Sequence, residues 1–229
     1  VNAKPQKAEG RTAVTRDRAL HAAIALADAG GIDSLSMRKL AQVLGIEAMS
    51  LYYHVKSKDD ILDGMVALVV EEMALPAPGE DWKTALRERA ESERAVLARH
   101  PWAIAQVDAR TTRPTMAYHD VMIGCLLAEG FTMPLAAHAL SLVDSYVHGF
   151  ALQEASLPLD KEGDIGAATE AILEQQAAMA ESFPHLTQMA NTLILQPGYA
   201  YGNEFDFGIG LILDGLARAR NADSLTPHG

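Results

Sequence analysis

Apolar residues recur at steps of three and four along nearly the whole chain, the spacing of amphipathic helices. Leu20, Ile24 and Ala27 form the first stripe, with Thr15 as cap, Asp17 in the first turn and Gly30-Gly31 as terminator. Ser36 opens a shorter helix with Met37, Leu40, Ala41 and Leu44 apolar, and Gly45 closes it. A third helix is predicted from near Glu47 through Leu51 to about His54. Ser57-Lys58-Asp59-Asp60 resembles a capping box opening a long helix with Ile61, Leu62, Met65, Leu68, Val69 and Met73, which ends near Pro76-Ala77-Pro78-Gly79. Further helices are predicted from Asp81 to Arg99, briefly after Pro101, from Pro114 to Gly130, and from Thr132 to Glu154. A loop follows over 156–166, then helical stretches over 166–181 and 185–195, a break at Gln196-Pro197-Gly198, and a final helix capped by Asn203 and ending near Arg220. No run alternates with period two between hairpin turns, so the pattern predicts an all-α chain.

Three segments follow from this pattern. Residues 1–14 are a polar, basic tail without periodicity, either plainly mobile or a basic arm in which Lys4, Lys7 and Arg11 reach a minor groove. Residues 15–60 form a three-helix, helix-turn-helix unit, and a long helix joins it to a helical body over 61–229. Charge separates the same units. The chain carries −11 overall, yet residues 1–58 hold nine Lys/Arg against five Asp/Glu, and residues 59–229 hold ten against twenty-five. A basic head is drawn to phosphates and an acidic body is repelled. A hydrophobic fraction of 49% supports a packed core. The single Cys125 excludes an internal disulfide and cysteine-rich zinc modules. No uncharged apolar run is long enough for a membrane span, and Val1-Asn2-Ala3-Lys4-Pro5 has no signal-like apolar core, so a cytoplasmic location is expected.

The densest chemistry lies between Ser36 and Lys58. Leu40, Ala41, Leu44, Ile46, Leu51 and Val55 would lock two short helices around Gly45, a geometry that a major groove admits. Ser50, Tyr52, Tyr53, His54, Lys56 and Lys58 are then left on the outer side, where hydroxyls, an imidazole and ammonium groups suit phosphates and base edges. An ordinary helical hairpin with Tyr52 and Tyr53 half-buried would give a similar pattern. The stretch Leu51-Tyr52-Tyr53-His54-Val55-Lys56-Ser57-Lys58 resembles the recognition-helix signature of the TetR family of regulators, with a likeness covering about residues 15–65. That resemblance implies operator contacts from Arg38, Ser50, Tyr52, His54 and Lys58. Ala48 and Met49 stand where tetracycline repressors carry Gln and Pro. Ala48 cannot form a bidentate bond to adenine, so apolar contact with thymine methyls is expected instead.

The resemblance continues into the body. Thr112-Arg113-Pro114-Thr115 is similar to the loop that couples ligand binding to head movement in tetracycline repressors. Gly149-Phe150-Ala151-Leu152 and Phe205 through Leu216 are similar to the helices that pair subunits, which implies a homodimer using Gly149, Phe205, Gly208, Leu211, Ile212 and Gly215. The metal ligands of that branch are replaced by Ala109 and Gln153, and two pocket positions by Ala74 and Arg89, so no metal or cofactor is expected. His138, Ser141, Ser145 and His148 share one face of the 133–154 helix, with Asp144 four residues before His148. These groups either pair internally or line an apolar cavity beside Thr112 and Arg113, and Trp82, Trp102, Tyr118 and Phe131 are core residues or its walls.

The family likeness implies a regulator of a palindromic double-stranded DNA operator, most simply a repressor released by a small hydrophobic effector acting without magnesium. A constitutive DNA-binding protein is the nearest alternative. A metal-dependent hydrolase finds little support, because no His-Glu-x-x-His helix or glycine-rich phosphate loop is present.

Overall fold

The computed structural model describes residues 14–77, 79–157, 180 and 182–223, and every described element is helical. The tail, the 156–166 loop beyond Leu157 and the 166–181 helix fall almost wholly outside these residues. Helix α1 spans Arg16–Gly30, with the Thr15 hydroxyl accepting the Arg18 N–H and Gly31 leaving the helix at φ 72°. Helix α2 spans Met37–Leu44 and is capped by Ser36, whose hydroxyl accepts the Lys39 N–H. Its end is a Schellman turn. Gly45 sits in the left-handed region (φ 69°, ψ 32°), its N–H reaches Gln42 O, and the Ile46 N–H reaches Ala41 O at 3.0 Å.

Helix α3 covers only Ala48–Leu51, shorter than the sequence pattern predicts. From Ser50 onward the chain tightens into i→i+3 bonds, Tyr53 N–H to Ser50 O and His54 N–H to Leu51 O. Leu51 and Val55 are fully buried, and α3 packs on α2. Helix α4 spans Lys58–Glu71 and also stops before the expected break at Pro76. Beyond it the backbone crosses to the next helix, with the Ala74 N–H donated to Ser92 Oγ at 2.9 Å. Ile61, Leu62, Met65, Val66, Val69 and Val70 are buried along α4, which packs on α1 and on the body.

The body contains α5 (Trp82–Arg99), a short turn of helix α6 (Ile104–Val107), α7 (Arg113–Ala128), α8 (Met133–Ser156), α9 (Pro184–Met189) and α10 (Asn203–Asp223). Helices α5 and α8 pack along much of their lengths, with α7 against α4 and α8, and α10 against α8 and α5. The predicted 185–195 helix is observed as α9 followed by a π-helical turn over Ala190–Ile194. One contact fixes α10 on α8. A Cβ on Gly208 would fall 2.1 Å from the Tyr146 hydroxyl, which itself donates towards the Glu204 and Phe205 carbonyls at 3.1 Å. Glycine at 208 therefore serves packing inside one chain, and Phe205, stacked on Tyr146 and fully buried, belongs to the same core. The full burial of Phe205 corrects the expectation that it meets a second subunit.

The left-handed turn at Gly45 sets the angle between α2 and α3. Gly45→Ala should lower stability by about 1 kcal/mol, because a Cβ there is sterically strained although the surrounding space is open. Thermal or urea denaturation of the two proteins checks this.

Candidate functional site

The head presents a compact outward surface. Leu40, Ala41, Leu44, Leu51 and Val55 are buried, leaving Arg38, Ala48, Met49, Tyr52, Tyr53, Lys56 and Lys58 exposed, with Ser50 and His54 half-buried. Tyr53 is 89% exposed, against the half-buried tyrosine of an ordinary hairpin, while Tyr52 is partly covered at 48%. Asp60 holds this surface in shape. Its Oδ2 accepts the Lys56 N–H at 2.8 Å, and its Oδ1 accepts Arg16 Nη2 at 2.7 Å, joining the α3–α4 turn to the start of α1. Those two interactions, the Lys56 hydrogen bond foremost, hold the Asp60 carboxyl below the usual carboxylate range.

Two sets of polar contacts connect head and body. Asp28 Oδ1, near the end of α1, accepts Trp102 Nε1 at 2.7 Å and lies 2.8 Å from His100 Nδ1. Glu72, just past α4, lies 3.4 Å from His100 Nε2 and accepts Arg99 at 2.6 Å. On the other side Arg110, in the loop between α6 and α7, bonds Asp63 at 2.6 Å and Asp59 at 3.3 Å, both in α4.

A charged cluster lies inside the body. Arg89, 1% exposed, donates Nη2 to Asp144 Oδ1 at 2.5 Å and lies 3.5 Å from Glu93 Oε2. Its guanidinium carbon sits 4.8 Å from the centre of the Tyr118 ring. His148 bridges Glu93 Oε1 through Nε2 at 2.8 Å and Asp108 Oδ2 through Nδ1 at 2.9 Å. His119 Nε2 is 3.6 Å from Asp144 Oδ2. Burial opposes the charge on His148, but the Glu93 and Asp108 carboxylates outweigh it and raise the ring to about 9. Burial likewise opposes charge on Arg89, while Glu93, Tyr118 and Asp144 hold it protonated well above its ordinary value. Asp144 is lowered against the pull of its burial, chiefly by His119 and Arg89.

This arrangement divides the predicted ligand residues. His138, Ser141 and Ser145 are exposed on the chain's surface and line none of the cavities described, which corrects the expectation that they border one. At about 100° per residue they fall opposite the buried stripe of Ala139, Leu140, Val143 and Val147. Asp144 and His148 lie nearer that stripe and are paired internally. Thr112 is occupied in a reciprocal cap, accepting the Thr115 N–H while its own N–H is donated to Thr115 Oγ1 at 2.8 Å. Arg113 is exposed and, with Val70, Met73, Leu75, Pro114, Ala117 and Tyr118, lines a largely apolar cavity of about 480 Å³. Trp82 and Phe131 instead stack edge to face at 4.9 Å in the core. Gln153 accepts the Tyr201 hydroxyl at 2.8 Å, and Glu154 pairs with Arg94.

Sequence reasoning placed Arg89 only as a replaced pocket position and missed its buried charge network, and it missed Glu93 and Arg110 altogether. The signal for the first two was present, since they continue the buried three–four spacing of Trp82, Leu86, Ala90, Val96 and Leu97 on α5. Charged residues at core positions mark a buried network. Arg110 has no comparable pattern, because its partners are fixed only by the tertiary fold. Leu142, Gly149 and Leu152 lie along one outward line of α8 and are all exposed, as are Phe207 and Leu211 on α10, with Ile212 and Gly215 half-buried beside them.

Comparison with known proteins agrees with both halves. Residues 19–65 match the model for bacterial regulatory proteins of the tetR family, and residues 75–220 match the tetracyclin repressor-like C-terminal domain. An HTH-type transcriptional regulator of Saccharopolyspora erythraea is 35% identical, over 79% of this chain and 80% of its own. The tetracycline repressor protein class D of Escherichia coli is 32% identical, over 77% and 78%. The structure of ActR from Streptomyces coelicolor, in complex with actinorhodin, superposes with a TM-score of 0.70 at 28% identity, covering 91% of this chain and 99% of that one. No helix among the described residues is long and apolar enough to cross a membrane.

The buried His148 makes stability depend on pH. Its folded value of about 9 exceeds the unfolded value near 6.5, so its contribution is complete below about pH 6.5 and is lost as pH rises through 9. Between pH 6 and 10 the protein should lose on the order of 3 kcal/mol more stability than His148→Gln does, measured by urea unfolding of both.

Proposed function

The chain belongs to the TetR family of bacterial transcriptional regulators, and on that premise we propose that it is a repressor released from a palindromic operator by a small hydrophobic effector. The observation that carries the release is the path from body to head. His148 in the buried cluster holds Asp108, and two residues along the same loop Arg110 grips Asp59 and Asp63 in the first turns of α4. A molecule bound beside the cluster acts by favouring a conformer in which this loop has shifted, and it does so only through a difference in affinity between the two conformers. A hundredfold difference is about 2.7 kcal/mol per site. ActR, solved with a small molecule bound, supports reading this body as an effector-binding unit. The substitutions at Ala109 and Gln153 support an effector that needs no magnesium.

On the DNA side, the exposed Ala48, Met49 and Tyr53 face base edges, while Arg38, Ser50, Tyr52, His54, Lys56 and Lys58 contact phosphates and neighbouring bases. The basic head between phosphates and the acidic body away from them supports this orientation. Two copies pair through the outward line of α8 and the face of α10 carrying Phe207 and Leu211. Their recognition turns then stand about 34–36 Å apart, one turn of DNA.

Two measurements test this. On a duplex enriched from a random library, Lys58→Ala should weaken all sequences alike and lower the slope of log affinity against log salt by about one. An unchanged slope would remove Lys58 from the interface. Leu211→Glu should give a monomer by light scattering with its helical circular dichroism retained. Operator affinity should fall at least about tenfold, because two linked half-sites become two separate ones. A dimeric Leu211→Glu protein would place the interface elsewhere.

A further inference from the structure

The space enclosed by α5, α7 and α8 is walled by side-chain atoms that the charged cluster leaves unsatisfied. Arg89 uses Nη2 on Asp144, but its Nε and Nη1 have no hydrogen-bond partner among the described residues, and neither does Glu93 Oε2. The Tyr118 hydroxyl is in the same condition. Arg89 and Glu93 are 1% and 2% exposed. Each such buried group costs about 1–3 kcal/mol if unmet, so the set defines what a complementary ligand must offer. Val70, Met73 and Tyr118 line both this space, only about 10 Å³, and the 480 Å³ cavity, so a molecule in the larger cavity reaches Arg89 and Glu93 by displacing these side chains. The rest of the cavity wall is Leu75, Pro114 and Ala117, which suit an apolar body, with the opposite charges of Glu71 and Arg113 beside them.

Resting on the reading of the body as an effector site, we propose that the effector is a ring-bearing, uncharged molecule with an acceptor oxygen and a hydroxyl side by side at its buried end. The acceptor meets the free N–H groups of Arg89, and the hydroxyl donates to Glu93 Oε2. An anion is disfavoured. The buried cations, Arg89 and His148, are already matched by Glu93 and Asp144, and an added carboxylate would lie against a Glu93 oxygen only 3.5 Å from Nη2. Uncompensated charge in such a place is costly. Loss of either polar partner leaves a buried group unpaired, which is why sites of this kind discriminate strongly against analogues lacking it.

Four probes on one scaffold test the proposal by calorimetry on the full chain: 2,3-dihydroxynaphthalene, 2,3-dimethoxynaphthalene, 2-naphthoate and naphthalene. The diol should bind at least about tenfold more tightly than each of the others, since the dimethoxy compound lacks the donor, the naphthoate is charged and naphthalene lacks both groups. Arg89→Lys keeps the charge but removes the guanidinium N–H groups, and it should erase most of the preference for the diol over naphthalene. Because that variant touches a buried cluster, the wild-type ranking stands as the independent readout. Equal binding of diol and dimethoxy compound, tighter binding of naphthoate, or no binding of the diol would overturn the proposal. Release from DNA is read separately by anisotropy. Ranked binding that leaves the DNA complex intact would support the site and overturn the effector-released repressor.

Discussion

A guanidinium removed from water is tolerable only when its charge is matched, and Arg89 imposes that condition on the centre of the body. Glu93 stands one turn further along α5 and Asp144 stands across on α8, so the same charge pins the two helices that form the main packing contact of the domain. The carboxylates then need partners of their own. His148 answers Glu93 and extends to Asp108, while His119 of α7 approaches Asp144. Removing one member would strand another in a dry interior, a loss of several kcal/mol. The network thereby fixes the relative positions of α5, α7, α8 and the loop after α6 more narrowly than apolar packing alone would.

The head is organised by a lighter device. Asp60 closes the turn between α3 and α4 by accepting the Lys56 N–H, and it reaches Arg16 at the start of α1. Gly64 lets α1 and α4 approach until the Leu20 methyls lie where a Cβ would stand, at 2.7 Å. The recognition turn is thus held by one carboxylate and a close helix crossing, and its outward side is left free of structural duties.

Much of this was legible in the chain. Caps at Thr15, Ser36, Ser57 and Thr132, and terminators at Gly31, Gly45 and Gly130, mark helix ends that the structure keeps. Two ends were misread for a physical reason. Helix α3 gives way at Ser50 to tighter i→i+3 bonds, and beyond α4 the Ala74 N–H turns to Ser92 Oγ, a tertiary partner that local spacing does not reveal. The outward face of the recognition turn followed from locating its buried partners. The stripe on α8 did not, because spacing says which residues share a face but not which way that face points. Nor does spacing show that the missing side chain of Gly208 accommodates the Tyr146 hydroxyl of the same chain.

The grip of Arg110 on α4 differs in kind from the buried cluster behind it. Its partners are open to solvent, Asp59 83% and Asp63 55% exposed, so each pair is worth about 1 kcal/mol or less and is screened by ions within a Debye length of roughly 8 Å at physiological strength. The tether is therefore weak enough for an effector to shift, and it is also open to the surrounding electrolyte. A rise in salt would loosen the mechanical link between sensor and head while weakening the head's hold on phosphates. Derepression under such conditions would then need no effector, which makes ionic strength a second input to a device built to read a small molecule.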